Sequence, residues 1–160
     1  MPSNKRRAHP LVKAAAIAKI KPTPRQHRFN PRAVRHNIAL GDLVGMTQMG
    51  VHLVRIKPGG ETTEYHTHYC DEEFVYILSG RGTAEIGDRT FTVGPGDFMG
   101  FTAQSLPHVM TNPFAEELVY LLGGTRKGFD VSEYPRIKKR SYKFCGERHT
   151  VLYRDIRKED

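Results

Sequence analysis

Short apolar runs separated by turn residues dominate the middle of the chain. Residues 51–56 form a β-branched run that stops at Pro58-Gly59-Gly60, and residues 74–78 form another that stops at Ser79-Gly80. Runs of β-branched and aromatic residues bounded by Gly and Pro are typical of strands. The second run is apolar at every position, so we expect it to have neighbours on both of its faces.

Further short runs follow at the spacing of turns. Residues 83–86 and 89–93 flank Gly87-Asp88, and glycine in the first place of a two-residue loop favours a type II′ hairpin. Other candidate strands cover residues 98–101, 107–111 and 118–122. Many short strands with frequent turns are typical of a sandwich or barrel. The pattern therefore predicts an all-β domain, with no long helix between residues 42 and 124.

Charge divides the chain into three parts. Residues 1–41 carry ten Lys/Arg and no Asp/Glu, residues 42–125 carry four against eleven, and residues 126–160 carry eleven against six. The net charge of +8 therefore comes from the two ends, while the middle is acidic. We predict a basic N-terminal arm over residues 1–41, a barrel domain over residues 42–125 and a basic C-terminal tail over residues 126–160.

The two ends fit extended segments that lie beside the domain or wrap it. The arm opens with Lys5-Arg6-Arg7 and contains an Ala-rich stretch, residues 11–20, that suits a short helix or one strand. An acid-free, basic start also occurs in transit peptides, but this one has few serines and no clear amphipathic face. The tail is expected to be extended, with one strand near residues 151–153.

Composition excludes several classes of protein. No apolar run approaches the roughly 18 residues of a membrane span, and the two cysteines make no disulfide framework. The lack of a secretory leader together with these cysteines predicts a cytoplasmic location. Basic clusters such as Lys138-Lys139-Arg140 leave nucleic-acid binding as an alternative. Because no helix-turn-helix pattern accompanies them, we expect neither a nucleic acid nor a membrane as partner.

The candidate chemistry lies between residues 60 and 80, in the pattern Gly60, His66, His68, Glu73 and Gly80. Alternation along a strand would put His66 and His68 on one face, about 7 Å apart. Glu73 follows a short turn that can bring its carboxylate back to the same point. Two such histidines alone are more typical of a polar strand edge. With the carboxylate, the set suits Fe, Mn, Ni, Co, Cu or Zn.

A second cluster offers a further imidazole downstream. Gly96-Asp97 begins a candidate strand, His108 follows eleven residues after Asp97, and Asn112 follows four residues after His108. Three histidines and one glutamate would leave coordination positions open for water, O₂ or a substrate.

Together the two clusters resemble the two sequence motifs of the cupin superfamily. The first motif, G-x5-H-x-H-x4-E-x6-G, is matched in full. The second, G-x5-P-x-G-x2-H-x3-N, is matched in part, because Thr102 replaces its Pro, Gln104 replaces its second Gly, and one extra residue precedes His108. The departures concern the conformation of the loop more than the histidine.

The resemblance implies a fold and a ligand set. The fold is an all-β jelly-roll barrel, or double-stranded β-helix, here with extended basic N- and C-terminal segments. The metal ligands implied are His66, His68, Glu73 and His108, which would bind one divalent transition-metal ion such as Fe, Mn, Zn or Ni. A homodimer is also implied, because many single-domain cupins are dimers.

Several assignments stay open on the sequence alone. Glu72 is an alternative ligand, although the six residues between Glu73 and Gly80 favour Glu73. Glu64 shares strand parity with His66, so its carboxylate is either a proton shuttle at the cavity rim or an ordinary surface acid. His52 faces either the interior or solvent. The side chains expected to pack the barrel are Tyr76, Met99, Phe101 and Met110.

The expected function is that of a metal-dependent enzyme with a small, oxygen-bearing substrate. Basic side chains from the ends would favour an anionic substrate such as a sugar phosphate, which suggests an isomerase. A dioxygenase or decarboxylase fits the same ligand set, because this fold hosts many activities. The alternative from another class is a non-catalytic sensor that binds a metal or small ligand. An acid or base aimed at the metal would distinguish the two, and Glu64 is the candidate.

Overall fold

The computed structural model describes residues 9–157 and residue 159. The cluster Lys5-Arg6-Arg7 lies outside the described residues. In the described part of the chain two short α-helices, α1 (Ala14–Ile17) and α2 (Leu40–Leu43), and two short 3-10 helices (Pro135–Ile137 and Tyr153–Asp155) accompany thirteen strands. The strands are β1 (Thr23–His27), β2 (Asn30–Ala39), β3 (Met49–Ile56), β4 (Thr67–His68), β5 (Glu73–Ser79), β6 (Gly82–Ile86), β7 (Arg89–Val93), β8 (Phe98–Phe101), β9 (His108–Thr111), β10 (Leu118–Thr125), β11 (Phe129–Tyr134), β12 (Lys139–Phe144) and β13 (Glu147–Leu152).

The strands form antiparallel sheets around one interior. One sheet has the order β1-β2-β3-β10-β5-β8, a second has β13-β12-β11-β4, and a third has β7-β6-β9. Isolated bridges from Glu61 to Thr111 and from His66 to His108 join the segment before β4 to β9. The second and third sheets are thus continuous along this segment. The all-β prediction and the predicted strand positions between residues 51 and 122 are confirmed.

The core lies between the sheets and follows the alternation of the strands. Fully buried side chains come from β3, β5 and β10, and they include Val54, Ile56, Ile77, Leu118 and Tyr120. Met99, Phe101 and Met110 join the same cluster, as expected. Removing such alternate apolar side chains from water is the main force that holds the barrel closed.

The outer face of β5 differs from the sequence prediction. Val75 and Ile77 are buried, but Tyr76 is 40% exposed and Leu78 is 45% exposed. The expectation of neighbours on both faces is therefore wrong, and Tyr76 does not pack the barrel. Phe98 lies directly opposite Tyr76 on β8 and is itself exposed. Apolar residues on an outer sheet face produce the same sequence pattern as a strand buried on both sides.

Both basic ends take part in the sheets. The arm contains the short helix α1, which was one of its two predicted forms, and β2 pairs with β3. The tail forms β11, β12 and β13 and not an extended segment with one strand, so that expectation is wrong. Basic side chains on these strands mimic the charge pattern of a solvated tail. Arm and tail also touch, because Arg28 donates a hydrogen bond to Ser141 Oγ.

Two turns show why glycine stands where it does. Gly87 has φ 61°, the left-handed conformation that the predicted hairpin turn requires. Gly80 has φ 72°, and a Cβ placed there would lie 2.2 Å from the carbonyl oxygen of Glu117. The last glycine of the first motif is therefore required by both its dihedral angle and a close backbone approach.

Among the described residues, no helix has the length and apolar character needed to span a membrane.

Candidate metal centre

Two of the predicted ligands, His66 and His108, are paired through their backbones. The His66 N–H donates to the His108 carbonyl at 3.1 Å, and the His108 N–H donates to the His66 carbonyl at 2.8 Å. His108 is the first residue of β9, and His66 precedes β4. The ring centroids of the two histidines lie 4.8 Å apart. Residues 42 positions apart in sequence are thus held side by side by main-chain hydrogen bonds.

His68 and Glu73 reach the same point from different sheets. His68 ends β4 and is paired with Ser132 of β11. Glu73 begins β5 and lies between Phe101 of β8 and Gly124 of β10. The site is therefore built across the interior, with the carboxylate on the six-stranded sheet and the imidazoles on the opposite wall.

The rings of His66, His68 and His108 converge on one carboxylate oxygen of Glu73. Glu73 Oε2 lies 3.7 Å from His66 Nε2, 3.6 Å from His68 Nε2 and 3.7 Å from His108 Nε2. The ligating atoms of His66, His68 and Glu73 all lie within 4.8 Å of one another. These separations exceed those of good hydrogen bonds. The three Nε2 atoms thus surround the carboxylate oxygen without being bonded to it.

The opposite nitrogen of each ring is held by an acceptor. His66 Nδ1 donates to the Glu64 carbonyl at 2.9 Å, and His68 Nδ1 donates to Asp130 Oδ2 at 2.6 Å. His108 Nδ1 lies 3.4 Å from the Leu106 carbonyl. A proton on Nδ1 leaves the Nε2 lone pair free and aimed inward. This is the arrangement in which histidine binds metals.

Asp130 is a part of the site that the sequence analysis missed. Its carboxylate is buried, and its second oxygen accepts the backbone N–H groups of Cys70 and Asp71, each at 3.1 Å. Burial alone would raise the pKa of Asp130. The hydrogen bond from His68 and the two amides outweigh burial and hold this pKa well below its ordinary value. Asp130 is therefore a fixed anion behind His68.

Opposing influences set the ionisation of the central groups. Burial would raise the pKa of Glu73, but the nearby rings of His108, His66 and His68 lower it well below its usual range. Burial lowers the pKa of His66. Burial also lowers that of His68, yet its hydrogen bond to Asp130 and the nearby Glu73 charge raise it overall. The site thus holds an ionised carboxylate beside a neutral His66.

Aromatic rings fix the orientation of two of the histidines. Phe101 stacks on His108 with ring centroids 3.5 Å apart and an interplanar angle of 7°. Tyr134 of β11 stacks on His66 with centroids 6.0 Å apart. Rings clamped in this way lose little freedom when they bind a ligand, which favours a preformed site.

The donor set fits a divalent transition metal. Three imidazole nitrogens with free lone pairs and one carboxylate suit Fe, Mn, Zn or Ni, and less so the oxygen-preferring Mg and Ca. The half-buried carboxylate would otherwise be left without a strong hydrogen-bond donor, which makes the arrangement costly without a cation. The chemistry of the donors therefore indicates a metal ion but leaves its identity open.

The other predicted residues lie in different places. Glu72 is exposed, and its side chain is not among the converging groups. The Glu64 carboxylate accepts its neighbour's N–H and lines a hollow with Glu61, Glu85 and Arg136, apart from Glu73. The proton-transfer role of Glu64 thus stays a prediction. His52 lines the mouth of the barrel, where one hollow also contains Glu73.

The interior beside Glu73 is small and mostly apolar. A cavity of about 50 Å³ is lined by Thr62, Met99, Phe101 and Tyr120 among others. Burial raises the pKa of Tyr120, so its phenol stays protonated and can donate a hydrogen bond.

A basic mouth opens outward from the same carboxylate. This hollow, of about 600 Å³, is lined by arm, tail and barrel residues that include Arg25, Arg35, Arg126, Lys143 and Arg148. The sequence-based expectation that the basic ends reach the cavity mouth agrees with this placement.

The second motif keeps its geometry despite the substitutions. Gln104, which stands in the place of a glycine, has φ 61°, and its N–H donates to the His68 carbonyl at 2.7 Å. Asn112 is fully buried, donates to the Ile56 and Glu116 carbonyls, and accepts the N–H of Phe114. The asparagine therefore holds the loop after β9 and takes no part in the metal centre.

Comparison with known proteins agrees with this architecture. The family described as "Cupin domain" matches residues 52–123. A solved structure from Acidithiobacillus ferrooxidans, named a putative sugar phosphate isomerase, is 43% identical over 94% of this chain and 96% of that one, with a TM-score of 0.92. A structure from Silicibacter pomeroyi, named a sugar phosphate isomerase from a cupin superfamily, is 24% identical with a TM-score of 0.77. It covers 84% of this chain and 90% of that one.

A shorter match occurs to an uncharacterized protein of Methanocaldococcus jannaschii. The two are 39% identical over 57 residues, which is 36% of this chain and 45% of that protein. The match thus spans less than half of the archaeal protein's length. With its two motifs and its barrel, this chain belongs to the cupin superfamily. The predicted double-stranded β-helix fold is thereby confirmed.

Proposed function

We propose that this cupin is a metal-dependent enzyme that acts on a small, anionic, sugar-phosphate-like substrate. The observation that carries the proposal is the convergence of three Nε2 atoms within 3.6–3.7 Å of one Glu73 oxygen. His66, His68, Glu73 and His108 would hold one divalent transition-metal ion. When bound, such an ion supplies Lewis acidity toward a substrate oxygen.

The chain's own residues prepare the site for a polar substrate. The Tyr120 phenol lines the inner cavity beside Glu73 and can donate to a substrate oxygen. His27 lines a neighbouring hollow with Glu73, and its Nδ1 accepts the Phe29 N–H at 3.3 Å. The proton of this neutral ring is therefore on Nε2, where it can also be donated. The two groups would orient oxygens of a bound molecule.

Two observations favour a sugar-phosphate isomerase over a dioxygenase or decarboxylase. The mouth is rich in arginine, which suits an anionic substrate. The Acidithiobacillus ferrooxidans protein, 43% identical over nearly the whole chain, carries an isomerase name. The homodimer and the cytoplasmic location stay predictions.

A non-catalytic metal or ligand sensor is the second candidate. One observation favours it, namely that the Glu64 carboxylate, predicted to move protons, lies apart from Glu73. Turnover decides between the two. Metal-loaded protein that interconverts aldose and ketose phosphates is an enzyme, while protein that binds metal and converts none of them is a sensor. O₂ uptake would instead indicate a dioxygenase.

The first test of the proposal is elemental analysis of the purified protein and three variants. We expect about one transition-metal ion per chain in the wild type and in Glu72→Gln, the control that loses the same charge one residue away. His66→Ala and Glu73→Gln should lose most of the metal, because each removes one of four ligands. If Glu73→Gln kept stoichiometric metal and Glu72→Gln lost its metal, the carboxylate ligand would be Glu72 and not Glu73. Absence of metal in every protein after reconstitution would overturn the proposal.

A further inference from the structure

Three arginines line the mouth in front of Glu73 without a carboxylate partner among residues 9–157. They are Arg25 on β1, Arg35 on β2 and Arg148 on β13. They therefore come from the N-terminal arm and the C-terminal tail, which meet across the opening. Surface arginines commonly lie unpaired, so these three are distinguished by their position and by their surroundings.

The other two cations that line the mouth are each paired with an aspartate. Arg126 pairs with Asp42 at 2.7 Å, and Lys143 pairs with Asp71. Asp71 also accepts the Thr125 hydroxyl and the Lys127 N–H, each at 3.0 Å. These acids are thus engaged already. The unpaired guanidinium groups give the hollow a positive excess next to the candidate metal centre.

Arg25 and Arg35 are directly opposite each other in the β1–β2 ladder. Like charges in such a cross-strand pair destabilise a sheet unless an anion lies between them. Arg35 adds a second anomaly, because its Nε is buried and has no hydrogen-bond partner in the described structure. Buried donors without an acceptor are rare and costly, so this atom is available to an acceptor that the described residues do not supply.

Two unpaired buried atoms complete the lining of the hollow. Asn37 Oδ1 and His52 Nδ1 both line it and have no hydrogen-bond partner among the described residues. Asn37 Oδ1 can accept a hydrogen bond, and His52 Nδ1 can do so when the ring proton is on Nε2, as from the hydroxyl groups of a sugar. Guanidinium donors with nearby acceptors match a molecule that carries both an anionic group and hydroxyls.

We propose that Arg25, Arg35 and Arg148 form a subsite for the phosphate group of the substrate, built jointly by the arm and the tail. The inference rests on the proposed function in one respect, because the other end of the same molecule would meet the metal centre at Glu73. The planar guanidinium binds phosphate through paired hydrogen bonds, which lysine cannot provide. Arm and tail are therefore parts of the binding site and not accessories to the barrel.

The test measures inorganic phosphate binding to metal-free protein by calorimetry, so that the metal cannot contribute. We expect Arg25→Gln and Arg148→Gln, both at exposed positions, to weaken phosphate binding roughly tenfold, the effect of one charge-assisted contact. Arg35→Lys, which keeps the charge, should weaken it by a similar factor. The control Arg89→Gln removes an exposed arginine on the β6–β7 hairpin, away from the mouth, and should bind phosphate within about twofold of the wild type.

A second arm separates free phosphate from a sugar phosphate. Metal-loaded protein should bind an aldose phosphate more tightly than both inorganic phosphate and the same aldose without phosphate. Tighter binding of inorganic phosphate would overturn the substrate assignment. Equal phosphate affinity of Arg148→Gln and Arg89→Gln, or no phosphate binding to the metal-free wild type, would overturn the subsite even if metal content is stoichiometric. Phosphate binding by a chain that cannot hold metal would leave the subsite standing and overturn the proposed function.

Discussion

Asp130 Oδ2 lies 2.6 Å from Nδ1 of His68, a residue 62 positions earlier in the chain. The contact depends on pairing between β4 and β11, which puts Ser132 opposite His68. A strand of the C-terminal tail thus supplies the carboxylate that sets the tautomer of a candidate ligand. The barrel motifs alone do not complete the site.

We expect Asp130→Asn to weaken metal binding by about 10- to 100-fold, the usual effect of removing an outer partner of a ligating histidine. The asparagine oxygen can still accept the Cys70 and Asp71 amides, so its NH₂ would face His68 Nδ1. The ring would then carry its proton on Nε2, where it blocks metal binding. Titration of metal-free protein with Zn²⁺ against a competing chelator measures the affinity.

The matched control is Asp88→Asn, which makes the same change at an exposed turn position. Its Zn²⁺ affinity should equal that of the wild type. Equal affinities in the Asp130 and Asp88 variants would show that Asp130 has no part in positioning His68.

The convergence of three of the candidate ligands could be predicted from the sequence because their spacing is local. His66, His68 and Glu73 lie within eight residues, so strand geometry and one turn suffice to bring them together. The assignment of His108 as a fourth ligand depended on the resemblance to a known motif. Asp130 could not be found in this way, because its role depends on strand pairing in a segment whose basic charges suggested a solvated tail.

Regular alternation also has limits in this chain. The inference for Glu64 assumed a continuous strand up to His66, whereas residues 62–65 form bends between the isolated bridges at Glu61 and His66. The alternation of side chains in a regular strand therefore does not put Glu64 and His66 on the same face. The prediction that both faces of β5 are covered was wrong for a related reason. Hydrophobicity along one strand does not reveal whether a second layer covers its outer face.

Gly80→Ala should destabilise the fold by more than about 2 kcal/mol, since left-handed strain and a clash with the Glu117 carbonyl add up. Backbone atoms form the obstruction, and they cannot move aside like a flexible side chain. Denaturant unfolding of metal-free protein measures the loss. Gly59→Ala is the control, because Gly59 has φ 76° but nothing within 4 Å of its Cβ position. It should cost only about 1 kcal/mol. Equal losses in the two variants would mean that the close approach at Gly80 contributes nothing.

Gln104→Gly should stabilise the protein by about 0.5–1 kcal/mol, because relief of left-handed strain exceeds the entropy that glycine gains in the unfolded chain. Gln104 is exposed, so its side chain loses little on removal. Gln48→Gly is the control at an exposed position without positive φ. That change should be neutral or destabilising. If both variants lose stability, the φ of 61° at Gln104 carries no strain.

The lowered pKa of His27 predicts that the folded protein loses stability in mild acid. Burial, then the repulsion between a proton on His27 and one on His66, and then the charges of Arg35 and Arg28 lower its pKa from 6.5 to about 4. Between these values the unfolded chain takes up a proton that the folded protein does not, so stability falls as pH drops from 6.5 to about 4 and levels off below. His66 and His52, whose pKa values are also lowered, contribute in the same direction. The readout is therefore the difference between wild type and His27→Gln.

Urea unfolding of both metal-free proteins at pH 7.5 and pH 4.5 (conditions chosen about one unit above the ordinary histidine pKa and well below it) measures that difference. The wild type should lose more stability than His27→Gln over this interval. The variant keeps a side-chain acceptor for the Phe29 N–H, so the comparison isolates the proton. A larger loss in the variant would mean that the ring is protonated in the folded arm. It could then not be the neutral donor that faces the candidate metal centre.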